Sequence, residues 1–190
     1  MTRFVGLDPS TKTGFVALDE SGKVIEAKEI TGIGSVDPKR MRSMIIFILD
    51  HIKPNDFIAI EGFGYASQQA VQNGGIGWGI RMPLYAKGFK YYEVAPNAVK
   101  KFVNVSGWKG EDGKKLRLKD KEKKLAVKKA VYEHYGFQHS SDNVVDAFII
   151  AQIAKAIKDP SNLTTYQQEV IDTILNPLAK KPKKKKVKAQ

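Results

Sequence analysis

The chain contains no cysteine. That excludes a disulfide framework, a thiolate metal site and a cysteine nucleophile. Histidine is nearly as scarce: His51, His134 and His139 are the only three, too few and too scattered for an imidazole cage. No apolar run approaches the ~20 residues that a membrane helix needs, and the opening MTRFVGLD is not a signal peptide. These absences lead us to expect a soluble intracellular protein with no membrane partner and no small-molecule cofactor.

What is present is enough apolar matter for a core and a large positive excess. Of the 190 residues 42% are hydrophobic, and the formal charge is +12. Such an excess points first to a polyanion, most commonly nucleic acid. The charge is concentrated. Seven lysines lie between Lys180 and Lys188, and without them the net charge falls to +5. A second basic segment, residues 100–129, holds twelve Lys or Arg against four acids. The lysine-rich tail is too polar and self-repelling to pack, so we expect a single domain at 1–160 and a C-terminal extension over 161–190 that ends in a disordered tail. It would serve solubility or attract phosphate.

The segments RFVGLD (3–8), GFVALDE (14–20) and KVIEAKEI (23–30) read as strands of an antiparallel meander. Asp37-Pro38 opens a helix to about residue 53, with Met41, Met44, Ile45, Ile48, Leu49 and Ile52 at helical spacing. FIAIE (57–61) reads as a buried parallel strand. The Gly-rich stretch 62–80 is expected to become helical before Pro83. YYEVAP (91–96) reads as a strand, with a short helix from Pro96 to Phe102. Residues 106–120 are expected to be a mobile loop. Helices at 121–135 and 142–158 follow, the latter capped by Ser140-Ser141-Asp142. This order predicts an α/β fold with a mixed sheet.

Acids occupy telling positions. Asp8 and Glu61 close two strands, and a carboxylate ending a buried strand is unfavourable unless paired or metal-bound. Asp142 and Asp146 lie four apart on one helix face, and Asn143 shares much of it. If the strands of Asp8 and Glu61 are neighbours, their carboxylates converge. Asp146 would then complete an all-oxygen site suited to Mg²⁺ or Mn²⁺. Two such ions would clamp the two oxygens of a phosphodiester displacement. Simpler roles exist for some of these acids: Asp8 as a turn residue, Asp142 as a helix cap.

With GLDPSTKTGFVALD, AIEGF, APNAVKKFV and NVVDAFIIAQIA, residues 1–158 resemble the RuvC-type Holliday-junction resolvases of the RNase H-like superfamily. The long lysine-rich loop looks most like the phage-encoded branch. The resemblance implies a mixed five-stranded sheet flanked by helices, and a homodimer cutting four-way or branched DNA in recombination and repair. It implies 5′-phosphate products and a bacterial or phage-infected cytoplasm; the tail PKKKKVK would act in nuclear import only in a eukaryote. Asp8, Glu61 and Asp146 take the metal-ligand positions. The family's fourth ligand falls three residues before the last Asp, which here is Asn143, with Asp142 one residue earlier. Either Asp142 reaches the metal, or Asn143 coordinates through its amide oxygen, or the Asn weakens activity. Lys100, Lys101, Lys121, Lys123 and Lys124 resemble the family's lysines near the cleaved phosphate, and Lys123 is assigned a catalytic role. Phe63 and Tyr65 match the aromatics that enter the junction, with Trp78 and Arg81 as further DNA contacts. Two other DNA-directed readings share the fold: a non-cleaving junction binder and a cutter of RNA–DNA hybrids. The N-terminal motif also resembles the phosphate motif of actin-like sugar kinases, but a second phosphate loop is missing.

Overall fold

The computed structural model describes residues 2–64, 69–109 and 116–177. Tyr65 and the lysine tail lie outside them. Five strands form one sheet in the order β3-β2-β1-β4-β5: β1 is Phe4–Asp8, β2 Thr13–Leu18, β3 Val24–Ile30, β4 Phe57–Glu61 and β5 Tyr91–Val94. The first three are antiparallel, and β4 and β5 run parallel to β1. Buried apolar residues on both faces explain the near-continuous hydrophobic runs of β1, β2 and β4.

Side chains alternate between two cores. Val5, Leu7, Ile58 and Ile60 face α1 (Lys39–His51) and α2 (Ala70–Ala86). Phe4, Val16, Leu18 and Ala59 face the second core with α3 (Pro96–Phe102), α4 (Asp120–Tyr135) and α5 (Asp142–Lys158). Helix α5 buries ten residues and crosses β1, β2 and β4. Its close approach depends on glycine. A Cβ on Gly6 would stand 2.0 Å from the Ala147 carbonyl oxygen, and one on Gly14 equally close to that of Asn143. Any side chain there would lift α5 off the sheet.

The Gly-rich stretch becomes helical before Pro83, from Ala70, and helix α2 then runs through the proline to Ala86. The contacts of Ile76, Ile80 and Leu84 in the core hold the helix on both sides of the proline. The stretch 106–120 is not simply a loop: β6 (Trp108–Lys109) pairs antiparallel with β7 (Leu116–Arg117). The extension expected over 161–190 contains a further helix, α6 (Thr165–Leu175). It buries Val170 and Ile171 in the α5-side core and begins with a capping box from Thr164 and Gln167.

Candidate functional site

Strands β1 and β4 are parallel neighbours in a register that pairs Leu7 with Ile60. Asp8 and Glu61 therefore leave the sheet side by side. Helix α5, seated on Gly6 and Gly14, brings Asp146 to the same edge. The three carboxylates line one cavity of about 300 Å³ with Ser10, Phe63, Lys100 and Asn143.

Their electrostatics are tense. Burial, then the charges of Glu61 and Asp146, push Asp8 well above the ordinary carboxylate range. Glu61 is raised chiefly by burial and by Asp146, and a hydrogen bond from the Asp8 carboxyl partly offsets this. Burial also raises Asp146, with Asp142 adding to it and Lys100 opposing. A side-chain hydrogen bond joins Asp8 and Glu61. Lys100 is the cation that stabilises charge on all three.

The donor set is all oxygen and carries excess negative charge in a buried place, which fits a hard divalent cation better than zinc. In this conformation no three or more acidic or imidazole groups among the described residues are gathered as a formed metal cluster. A bound cation would have to draw Asp146 and the hydrogen-bonded Asp8–Glu61 pair together by side-chain rotation.

Asp142 and Asn143 diverge, as a ~100° step along a helix requires. Asn143 borders the acid cavity, and its amide nitrogen donates to the Lys12 carbonyl at 2.7 Å. Asp142 faces a neighbouring basin of about 370 Å³ lined by Lys100, Lys123, Lys124 and Lys128. There it pairs with Lys124 at 2.8 Å and Lys128 at 2.7 Å. Those bonds hold its carboxyl below the usual range. Acid cavity and basin meet at Lys100 and Asp146, which line both.

The other predicted contacts fall differently. Lys123 lies in the basin, 3.2 Å from Asp120, and not in the acid cavity; Lys100 holds the position beside the carboxylates. Lys101 reaches away to Glu169 of α6 at 2.5 Å. Lys121 is exposed beyond the basin. Arg81, expected at DNA, is 1% exposed and structural. It donates to Glu93, the Glu61 carbonyl and the Gly77 carbonyl, and lies 4.4 Å over the Phe63 ring. An arginine so enclosed fixes the end of β4, at the wall of the acid cavity. Phe63 lines the acid cavity and packs on Trp78 at 5.4 Å between centroids. Trp78 is 55% exposed.

Sequence reading missed Lys128, whose Nζ bonds both Asp142 and the Ser140 carbonyl. Its place four residues after Lys124 was the available signal.

No protein-family model and no curated protein matches the chain. Solved structures do. The RuvC structure of Thermus thermophilus is 16% identical with a TM-score of 0.53, covering 83% of this chain and 96% of that one. The same coverage holds for T. thermophilus RuvC in complex with Holliday junction substrate, 13% identical with a TM-score of 0.51. The chain therefore has the RuvC-like, RNase H-like fold: a mixed five-stranded sheet between helices, with Asp8, Glu61 and Asp146 at one edge.

Proposed function

We propose that this protein is a metal-dependent endonuclease that hydrolyses phosphodiesters at four-way or branched DNA, acting as a homodimer. The observation that carries the reading is the meeting of two regions: a cavity of three buried carboxylates opening, through Lys100, into a lysine-lined basin. Catalytic and phosphate-binding chemistry thereby adjoin. The similarity to a RuvC solved with Holliday junction substrate supports branched DNA over other polyanions.

Asp8, Glu61 and Asp146 would hold two Mg²⁺ ions, or Mn²⁺, with Asn143 as a neutral neighbour. When bound, these would supply an activated water and shield the phosphate's charge. Ionisation of the hydrogen-bonded Asp8–Glu61 pair would prepare the site. Lys100 neutralises the phosphate being cut and the charge that develops on it. Lys123, Lys124 and Lys128 take flanking phosphates, the last two after exchanging Asp142 for DNA. Water adds to phosphorus and the 3′-oxygen leaves, giving 5′-phosphate and 3′-hydroxyl ends. Along α2, Val71, Trp78, Met82 and Tyr85 fall on one face and are all exposed. An apolar stripe of this kind is a fitting dimer contact.

The experiment is cleavage of a synthetic four-way junction beside a linear duplex and an RNA–DNA hybrid, with Mg²⁺, Mn²⁺ or EDTA. Paired junction nicks, lost in EDTA and in Asp146→Asn, are expected. Cleavage of the hybrid alone would replace junction DNA as substrate. Asn143 at the fourth position favours one second reading, a junction binder that does not cut. Tight binding without nicks would establish it.

A further inference from the structure

The hairpin β6–β7 stands next to Lys100, and the reading above gives it no task. A third cavity, of about 400 Å³, is lined by Trp108 and Arg117 of the hairpin, Asn97 and Lys100 of α3, and Lys123 of α4. Lys100 thus borders all three cavities. Trp108 and Arg117 face each other across the strand pair. The stem is pinned from both sides. Ser106 Oγ donates to the Trp108 carbonyl at 2.8 Å and accepts from its amide at 3.3 Å. Leu118 N–H donates to the Gly107 carbonyl at 2.9 Å. Yet the Trp108 side chain is 54% exposed, and among the described residues no ring packs on it. An indole held in place but left open among cations presents a free aromatic face beside phosphate-binding groups.

We propose that this pocket takes one unstacked nucleobase, from the nucleotide beside the phosphate that Lys100 contacts. Trp108 supplies the stacking face. Arg117 and Lys123 hold the phosphates on either side of that base. The Asn97 amide offers a donor and an acceptor to the base edge. Branch points supply such bases because their pairing is already strained. The pocket sits away from Phe63, so it reads a base flanking the cut and does not wedge the branch centre. The inference rests on the DNA-cleaving reading and adds a source of local sequence preference.

The test uses the full chain in EDTA, with four-way junctions carrying the fluorescent adenine isomer 2-aminopurine at successive positions around the branch. We expect quenching on binding at one position, kept in Trp108→Phe and lost in Trp108→Ala. The Ala variant should also bind at least about fivefold more weakly. Leu116→Ala, exposed on the same hairpin but outside the pocket, should behave as wild type. Equal loss in Leu116→Ala would make the effect one of hairpin integrity and overturn the pocket, as would unchanged quenching in Trp108→Ala. Cleavage with Mg²⁺ is scored separately on the same junctions. Nicking without position-specific quenching rejects the pocket and keeps the nuclease. Quenching without nicking does the reverse, and absence of any binding overturns both.

Discussion

Asp142 and Asp146 are the same residue type one turn apart on one helix, yet their surroundings oppose each other. Two lysines hold Asp142 ionised and about one third exposed. Burial, with the Asp142 charge adding to it, raises Asp146 above the ordinary carboxylate range, and Lys100 and Lys124 oppose the rise. The first is neutralised by its two lysines, and the second carries a charge that burial disfavours. A small rotation about α5 therefore separates an acid paired with lysines from one that lines the carboxylate cavity. Composition alone cannot tell the two apart, because the difference lies in what packs opposite.

The contrast can be broken most severely at its support. Gly14→Val would drive a side chain into the Asn143 carbonyl and dislodge the start of α5, taking both acids with it. We expect a loss above about 4 kcal/mol, in the range of the most severe single substitutions, read as a collapsed urea midpoint or insoluble protein.

Next comes the site itself. Asp146→Asn should lower junction cleavage by at least about 10³-fold, as losing a hydrolytic metal ligand does, while leaving junction binding in EDTA within about twofold. Cleavage within tenfold of wild type would remove Asp146 from the catalytic set.

Asp8→Asn sharpens the comparison through pH. A carboxyl raised in the folded state binds protons that the unfolded chain releases. Its stabilising contribution is therefore full below the ordinary value of about 4 and fades as pH rises toward the raised one. Asn escapes that loss and can still donate to Glu61. In EDTA the variant should melt above wild type by a margin that widens from about pH 4 to pH 7, by roughly 2–4 °C for each kcal/mol. A margin that shrinks with pH would contradict the repulsion at this site. Metal added to wild type should close part of the gap.

The smallest effect belongs to Asp142→Asn. Losing partly exposed pairs should cost about 1 kcal/mol or less, because solvent already screens them. Its carboxyl is lowered by Lys124 and Lys128, so its contribution is present above the ordinary range and lost as pH falls through the lowered value. Freed from Asp142, the two lysines should grip DNA more tightly and steepen the salt dependence by about one to two units in log–log slope. Unchanged slope would mean that Lys124 and Lys128 do not touch phosphate.

Much of the fold was legible. Strands β1, β2 and β4 announce themselves as apolar runs ending in turn residues or acids, and α5 as an apolar helix with a serine cap. Asp8, Glu61 and Asp146 stand out because each is an acid where neighbours are apolar. Arg81 was not legible: a lone cation in a Gly-rich segment looks available, and only the enclosure by Phe63, Glu93 and two carbonyls reveals its burial. Lys100 and Lys123 look alike in a basic stretch, and the seating of α3 and α4 alone puts Lys100 beside the acids. Pro83 disfavours a helix interior, and packing of Ile76, Ile80 and Leu84 in the core holds α2 on both sides of it.

The sequence by itself determined the five strands of the main sheet, helices α1 to α5, the lack of thiolate ligands and the surplus of positive charge, because these follow from local periodicity and residue type. Tertiary structure alone decided which acid faces acids and which faces lysines, which lysine joins the carboxylates, and which arginine is sealed inside. Those outcomes depend on groups distant along the chain meeting at a few ångströms, where burial and opposing charge set each group's state.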